Sequence, residues 1–350
     1  MRRILAVAFA AAVLLFVLGA TLLPTSVEII EASFCLICSS RGVADAILNV
    51  VLFTPVGVAL AVLIRPARAI LAGILLSVAI ESAQLWVPGR HSSVGDLVFN
   101  TTGTLLGALL LAAVPMLLRP TRVAARRLAL GWSAAVLLVL FGGLWLMQPS
   151  LPVANYYGQW TPRLGSYAFY DGQVVGARIG ELALPSWRLD DSAVARDAMR
   201  AGSLEVTAIA GNPPRAVAPI FSMADGAERQ IMLLGADRDQ LVFRYHTRAM
   251  QLRLDSPDHR FDGAFAGVVP GDSLEIIATP ASGGRAMRFS VNGRAHESRL
   301  RIADTWGLLL TSDYVSRDRS LRRLVGAGWL LALLTPIAWW GFRARRREET

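Results

Sequence analysis

The residues best suited to chemistry in this 350-residue chain are acids and amides placed inside apolar stretches. They form three pairs: Asp45 with Asn49, Glu81 with Gln84, and Asp96 with Asn100. Because side chains three or four positions apart share one face of an α-helix, each pair is predicted to line a single helix face. Carboxylates and amides arranged in this way can bind polar groups or exchange protons.

Two arginines, Arg41 and Arg90, lie in polar segments next to these pairs. A guanidinium group donates paired hydrogen bonds to phosphate or carboxylate, so the mixture suits recognition of a polar ligand. Glu81 and Asp96 are the candidate acid and base if the site is catalytic. A structural alternative stays open, in which the two arginines pair with the three carboxylates and only fix the helix register. Buried ion pairs are, however, weak stabilisers.

The composition excludes a soluble single domain. Hydrophobic residues make up 54% of the chain and charged residues 17%, with a mean hydropathy of +0.46, whereas soluble proteins carry about 25% charged residues. Six apolar stretches approach or exceed the roughly 20 residues of a membrane helix. They span residues 4–23, 43–64, 69–87, 94–118, 128–147 and 324–342. We therefore predict a polytopic α-helical membrane protein, with a five-helix domain over 1–147 and a last helix with a basic tail over 321–350.

The distribution of arginine predicts the orientation of these helices. Residues 148–320 hold nineteen arginines and nineteen acids, so the net charge of +9 comes from segments that flank the apolar stretches. Counted from the amino end, the termini and the loops between helices lie alternately on the two sides of the membrane. The segments on one side carry twelve arginines, and the short loops on the other side carry only Arg41 and Arg90. By the positive-inside rule, both termini are cytoplasmic, residues 148–320 are extracytoplasmic, and the charge does not indicate a nucleic-acid partner. All 35 basic residues are Arg, which is typical of GC-rich coding and suggests a bacterial cytoplasmic (inner) membrane.

This orientation places the polar pairs near the outer face of the membrane. The second and fourth helices begin outside and the third ends there, so the carboxylates and amides are expected to converge at the outer leaflet. Acids inside a membrane normally face partners and mark function. Four arginines conflict with the orientation because they precede the last helix on the outer side: Arg317, Arg319, Arg322 and Arg323. Long translocated domains largely escape the rule, so the order of the spans decides.

Residues 148–320 are predicted to form one all-β domain. Six runs are rich in β-branched and aromatic residues or alternate in polarity: 203–210, 219–223, 230–234, 240–246, 274–279 and 287–291. Asp225-Gly226 and Asn292-Gly293 are typical of two-residue hairpin turns. Strands at this spacing, without helical runs between them, favour an antiparallel sandwich of the jelly-roll kind.

The polar helices resemble the VanZ-like family over about residues 5–145. The first block of resemblance is Arg41-Gly-Val-Ala-Asp45-Ala-Ile-Leu-Asn49, continuing to Gly57, and the second runs from Glu81-Ser-Ala-Gln84 through Pro88-Gly-Arg90 and Asp96 to Asn100-Thr-Thr-Gly103. The resemblance implies an integral membrane protein of the kind named after a factor in teicoplanin resistance. The long segment 148–320 and its closing helix depart from the minimal family pattern.

The predicted sandwich resembles concanavalin A-like and laminin-G-like domains in residues 219–226, 240–245 and 288–293. Many such domains bind carbohydrate, so the resemblance implies a lectin-like role. Five aromatic residues could stack on sugar rings or form core: Trp160, Tyr167, Tyr170, Trp187 and Trp306. Glucanases need closely spaced carboxylates, whereas Glu205 and Glu275 stand alone in their strands, so glycan binding or simple spacing is favoured over hydrolysis.

Cys35 and Cys38 are the two cysteines of the chain. In an oxidising compartment a local disulfide is the favoured interpretation, with a free pair as the alternative. Zinc would need two further ligands, and His91 alone is close in sequence, so no metal or other cofactor is expected.

The sequence therefore leaves two leading hypotheses. In the first, the protein is a non-catalytic module that meets membrane lipids and binds a lipid-linked envelope precursor or a glycan at the outer leaflet. In the second, it is a hydrolase or transferase in which Glu81 and Asp96 act as acid and base while Arg41 or Arg90 stabilises an oxyanion. A transporter is disfavoured, because the inner halves of these helices carry almost no polar residues.

Overall fold

The computed structural model describes residues 1–24, 36–37, 39–90, 92–165 and 167–345. The chain divides into two compact units. The helical unit comprises residues 1–137 and 331–350, and the sandwich unit comprises residues 138–330. The two boundaries fall inside long helices, Arg122–Leu146 and Arg319–Arg345. One end of each helix belongs to the helical unit and the other end to the sandwich unit.

Among the described residues, six helices are long and apolar enough to cross a membrane, as the composition predicts. In chain order they are α1 (Arg2–Leu22), α2 (Gly42–Leu63), α3 (Pro66–Gln84), α4 (Val94–Leu118), α5 (Arg122–Leu146) and α9 (Arg319–Arg345). Inside the helical unit, Val17 of α1, Phe53 of α2 and Ile80 of α3 form part of one buried apolar cluster. The outward surfaces of these helices remain apolar, which is the pattern of segments solvated by lipid.

Helices α2 and α4 approach each other closely because glycine lines their contact. A Cβ atom on Gly57 would overlap the Thr104 carbonyl oxygen, and one on Gly107 would overlap the Thr54 carbonyl oxygen. Gly103 meets the Val50 carbonyl oxygen in the same way. Small residues allow such approach between membrane helices. The Gly103-x-x-x-Gly107 spacing therefore serves the packing of α4 against α2.

The sandwich unit contains two antiparallel sheets, as predicted. One sheet has the strand order β1-β5-β6-β7-β8 and the other has the order β11-β10-β9-β4-β2-β3. The strands are β1 (Tyr156–Trp160), β2 (Gln173–Ile179), β3 (Leu182–Ala183), β4 (Leu204–Ile209), β5 (Ala218–Asp225), β6 (Gln230–Asp237), β7 (Gln240–Tyr245), β8 (His259–Phe261), β9 (Ser273–Ala281), β10 (Ala286–Val291) and β11 (Arg294–Arg299). Their inward side chains, among them Phe221, Phe243 and Phe289, form one continuous core.

One of the two predicted hairpin turns is correct. Asn292 and Gly293 join β10 to β11 with φ of 48° and 79°, and Val291 pairs with Arg294 across the turn. The Asp225-Gly226 prediction is wrong, because residues 226–229 form a longer connection. The Asp225 carboxylate accepts hydrogen bonds from the backbone N–H groups of Ala227 and Arg229, and this ring of contacts stabilises the wider loop.

In the described part of this unit, two helices lie between strands and one follows the last strand, contrary to the expectation of no helical runs: α6 (Ser192–Ala201), α7 (Arg248–Gln251) and α8 (Thr305–Val315). Asp191 caps α6, since its carboxylate accepts from the N–H groups of Ala193 and Val194. Ala195 and Met199 lie on one face of α6 and bury against the sandwich core. The helix is short and polar on its other faces, so its apolar signal is confined to two positions.

Candidate functional site

A hydrogen bond joins the polar faces of α2 and α4. Asn49 Nδ2 donates to Asp96 Oδ1 at 2.5 Å. Asp96 lies in the first turn of α4, where its backbone N–H donates to the Ser93 hydroxyl at 3.0 Å. Ser93 is the N-cap of α4, and this cap fixes where the carboxylate of Asp96 projects.

Helix α3 brings Glu81 to the same place. The Glu81 side chain is buried, and its Oε2 accepts the backbone N–H of Ser93 at 3.0 Å. The Ser92 hydroxyl also donates to this carboxylate, and Asp96 lies within its electrostatic range. The structure therefore brings Asn49, Glu81 and Asp96 together from three helices.

Two amides extend the polar region deeper between the helices. Asn100 Nδ2 donates to the Ser77 hydroxyl at 3.1 Å, and Gln84 Nε2 donates to the Thr21 carbonyl oxygen at 3.0 Å. Both side chains are buried. Among the described residues, nothing donates to Asn100 Oδ1 or to Gln84 Oε1. Each amide thus retains a buried acceptor for a donor that the described residues do not supply.

Arg90 has a different role from the one the sequence suggests. Its Nε donates to the Leu23 carbonyl oxygen at 2.9 Å and its guanidinium NH2 group donates to the Ala20 carbonyl oxygen at 2.7 Å. These acceptors lie at the carboxyl end of α1, where the last carbonyl groups have no partner within the helix. In the alternative of a structural clamp, Arg90 would pair with the carboxylates; in the structure its guanidinium caps α1 instead.

Arg41 and Asp45 lie at the beginning of α2. Asp45 is exposed, in contrast to the buried Glu81, and it accepts a 3.5 Å hydrogen bond from the Ser39 hydroxyl. The Arg41 guanidinium lies within its electrostatic range. Asp45 precedes Asn49 by one helical turn, so the two share a face, although Asp45 does not join the buried group around Glu81.

We call the group formed by Arg41, Asp45, Asn49, Glu81, Gln84, Asp96 and Asn100 the polar cluster. Its charged members are three carboxylates and one guanidinium; Arg90 keeps its positive charge but directs its N–H groups to the end of α1. Such a surplus of acceptors suits a ligand that offers hydroxyl, amide or ammonium donors. A phosphate or carboxylate ligand would meet repulsion there.

Some residues of interest lie outside the part of the chain that the structure describes. Cys35, Cys38 and His91 are among them, so the predicted disulfide stays a prediction. Three serines also contact the cluster: Ser77 accepts from Asn100, Ser92 donates to Glu81, and Ser93 bonds both Glu81 and Asp96. For Ser93 a signal existed, because Ser three positions before Asp is a helix-start pattern.

Most of the five aromatic residues that were candidates for stacking on sugar rings have structural contacts instead. Tyr170 is buried in the core, Trp160 packs against it and donates its indole N–H to the Leu184 carbonyl oxygen, and the Trp306 indole donates to the Val139 carbonyl oxygen. The Tyr167 hydroxyl accepts from Arg244 at 2.8 Å. Trp187 alone of the five is largely exposed, at 69%.

A buried charge network lies along β7 and β8. Arg244 donates to Asp258 at 2.7 Å, and Arg260 donates to Asp237 at 2.8 Å and to Asp258 at 3.2 Å. Burial alone would raise the pKa of Asp258, but the two guanidinium groups outweigh it and hold this pKa below its usual range. The neighbouring His259 is buried, and burial lowers its pKa from 6.5 to about 4.

Six membrane-spanning helices with an internal polar cluster, joined to a β-sandwich, define a multi-pass membrane protein. Residues 7–118 match the family model described as VanZ/LLP1. The chain therefore contains a VanZ-like domain, which covers α1 to α4 and all members of the polar cluster. No curated protein and no solved structure matches the chain.

Proposed function

We propose that this VanZ-like membrane protein is a non-catalytic module that recognises a donor-rich polar ligand at the outer leaflet. The ligand class is a lipid-linked envelope precursor or glycan whose head group carries hydroxyl, amide or ammonium groups. The proposal includes a cytoplasmic-membrane location, cytoplasmic termini and an extracytoplasmic sandwich. It rests on one observation, the gathering of Asn49, Glu81 and Asp96 from three helices inside an apolar unit.

The polarity of the cluster supports a ligand that donates hydrogen bonds. Asp45 is exposed and Asp96 is half-buried, so both side chains reach the surface of the helical unit. Behind them, the acceptor atoms Gln84 Oε1 and Asn100 Oδ1 lack donors from the described residues. Polar atoms inside a membrane protein are costly without partners, which favours an incoming donor over an empty site.

The enzymatic alternative assigns Glu81 and Asp96 as acid and base. Glu81 Oε2 accepts from the Ser93 N–H and the carboxylate also accepts from the Ser92 hydroxyl, so two of its acceptor positions hold the start of α4. This engagement favours binding over proton transfer. Glu81→Gln separates the two roles, since an enzyme would lose turnover while keeping its bound lipid.

The test is to identify lipids that purify with the full-length protein. We expect mass spectrometry of the extracted lipid to show enrichment of a glycan-bearing or amine-bearing lipid over bulk membrane. Asp45→Asn and Asp96→Asn, which keep the side-chain size, should reduce this enrichment at least about fivefold, as loss of one charge-assisted hydrogen bond predicts. Thr102→Val is the matched control, because Thr102 is exposed on α4 and bonds only its own helix through the Val98 carbonyl oxygen.

A lipid profile equal to that of bulk membrane, or one that both aspartate variants leave unchanged, would contradict the proposal. The possible link to the glycopeptide response has its own test. If the ligand is a cell-wall precursor, deletion of the gene should change susceptibility to teicoplanin, and Asp45→Asn should reproduce the change.

A further inference from the structure

A second, separate polar site lies in the sandwich unit. It is a pocket of about 320 Å³, within the range of small-ligand sites. Its walls come from β8 and β11, which are edge strands of the two different sheets, and from the segment that leads into α9. We call it the arginine pocket.

The pocket is strongly basic. Seven arginines line it against three carboxylates, Asp262, Glu297 and Asp304. Asp237 and Asp258 do not line the pocket, but they form ion pairs with its arginines. These two carboxylates reduce the excess of positive charge without removing it. An excess of guanidinium groups around one cavity predicts an anionic ligand.

Several of these arginines already have partners. Arg319 pairs with Asp262 at 2.5 Å, Arg322 lies 3.8 Å from Asp304, and Arg299 pairs with Glu297. These pairs hold the walls of the pocket in place. The excess positive charge of the pocket therefore lies on arginines outside these ion pairs.

Arg301 and Arg323 carry that surplus, because neither guanidinium group has an ion pair or hydrogen bond with any residue that the structure describes. Both side chains are exposed at the pocket. The guanidinium groups of Arg301 and Arg319 also lie within electrostatic range of Arg322. Like charges repel at such range, so the arrangement is stabilised by an anion between them.

A buried donor points to the same chemistry. Arg260 lines the pocket with its side chain only 6% exposed, and two of its nitrogens bind Asp237 and Asp258. Its Nε is buried and has no acceptor among the described residues. An unsatisfied charged donor in a pocket wall is costly unless a ligand oxygen accepts from it.

The pocket adjoins the point where the chain enters its last apolar helix. Arg319, Arg322 and Arg323 belong to the first turns of α9, and the apolar run begins at Leu324. The Trp329 indole N–H donates to the Ala303 carbonyl oxygen at 2.6 Å, which holds this start of α9 against the sandwich unit. The cavity therefore lies at the height of lipid head groups, on the side of the membrane that the sandwich faces.

We propose that the arginine pocket binds a phosphate group, supplied by an anionic lipid head group or by free phosphate. Guanidinium groups match phosphate oxygens with paired hydrogen bonds, which an ammonium group cannot do. A phosphate site also accounts for the four arginines that gather just before the apolar run of α9, Arg317, Arg319, Arg322 and Arg323. The inference concerns another unit and another ligand chemistry than the polar cluster, and it stands if that proposed function fails.

The experiment uses full-length protein in a neutral detergent and three probes: dihexanoyl phosphatidylglycerol, dihexanoylglycerol without phosphate, and inorganic phosphate. We expect the phosphatidylglycerol to bind at least about tenfold more tightly than dihexanoylglycerol in calorimetric titration, with the difference reduced by salt screening. Saturation by inorganic phosphate at similar concentrations would assign the site to free phosphate. Preference for the lipid would assign it to head groups.

Arg301→Gln combined with Arg323→Gln should lower phosphate affinity at least about tenfold, because two charge-assisted contacts are lost. Arg301→Lys combined with Arg323→Lys should keep part of the affinity and reports on folding, since charge is retained. Arg215→Gln is the matched control, an exposed arginine of the same unit outside the pocket. Equal affinity for the two lipid probes together with no saturation by inorganic phosphate would overturn the proposal, and so would equal affinity of the glutamine double variant and the Arg215→Gln control.

Discussion

Asn49 of α2 and Asp96 of α4 lie 47 residues apart in sequence and share a 2.5 Å hydrogen bond inside the VanZ-like domain. Two features make this contact possible. Glycines at positions 57, 103 and 107 let the two helices approach until backbone and side-chain atoms touch. Ser93 caps α4 and also donates its backbone N–H to Glu81, so the third helix is joined to the same point.

The close approach of α2 and α4 predicts that Gly57→Ala destabilises the helical unit. The added methyl group would overlap the Thr104 carbonyl oxygen, and overpacking of this kind costs about 1–3 kcal/mol. Thermal unfolding in detergent should show a lower Tm. Gly131→Ala is the control, because a Cβ there meets no atom within 4 Å. Equal Tm values for the two variants would contradict the packing described.

The capping role of Arg90 predicts an effect on stability rather than on ligand affinity. Arg90→Ala removes two hydrogen bonds to the carbonyl oxygens of Ala20 and Leu23 and should cost about 1–3 kcal/mol. Chemical unfolding measures this loss, and lipid extraction from the same sample reports binding. A variant with wild-type stability that has lost its enriched lipid would return Arg90 to the ligand site.

The buried His259 predicts that the sandwich loses stability in mild acid. Burial lowers its pKa from 6.5 to about 4, although the Gly284 carbonyl oxygen and the Asp258 charge act in the opposite direction. Between these values the unfolded chain binds a proton that the folded chain does not, so the free energy of unfolding falls as the pH decreases from 6.5 to 4. The full loss is about 3 kcal/mol, and it does not grow below the folded pKa.

This pH dependence is checked by chemical unfolding followed through tryptophan fluorescence. His259→Gln should remove most of the slope between pH 6.5 and 4. His296→Gln is the comparison, because that ring is only half-buried and its pKa is lowered by burial and by Arg319 against the effect of Asp262. A slope that survives in His259→Gln would assign the acid sensitivity to other groups.

The proposed orientation predicts the activity of reporter fusions. Alkaline phosphatase, which is active only outside the cytoplasm, should be active when inserted at the Asn292-Gly293 turn. A fluorescent protein fused to the carboxyl terminus should fluoresce, since that terminus is assigned to the cytoplasm by the positive-inside rule. The reverse pattern would move the sandwich to the cytoplasmic side and with it the proposed ligand.

The long periodic elements could be predicted from sequence, because apolar length and strand alternation are local properties. The weaker elements could not. β11 reads Arg-Ala-His-Glu-Ser-Arg, a polar run that forms a strand because it pairs with β10 at a sheet edge. The spacing of Asp45, Glu81 and Asp96 predicted that the polar faces meet. It did not predict that Asp45 remains exposed while Glu81 becomes buried.

The interaction partners of the arginines could not be predicted from local sequence patterns either. Arg90 binds backbone carbonyl groups about 70 residues earlier in the chain. Because every residue has a backbone carbonyl group, the sequence does not indicate which of them will accept such a bond. The arginine pocket draws on β8, β11 and the start of α9, so its charge becomes visible only once the two sheet edges are adjacent. From the sequence alone, the four arginines before the last helix were recognised only as a conflict with the positive-inside rule.

The central claim, that the polar cluster binds a ligand, is tested most directly by ligand-dependent stability. Delipidated full-length protein is unfolded by heat with and without a total lipid extract of its own membranes. A ligand that binds the folded state raises the Tm by mass action. We predict a larger rise for wild type and for Thr102→Val than for Asp45→Asn and Asp96→Asn. An equal rise in all four proteins would show that the lipid acts without the cluster and would contradict the account.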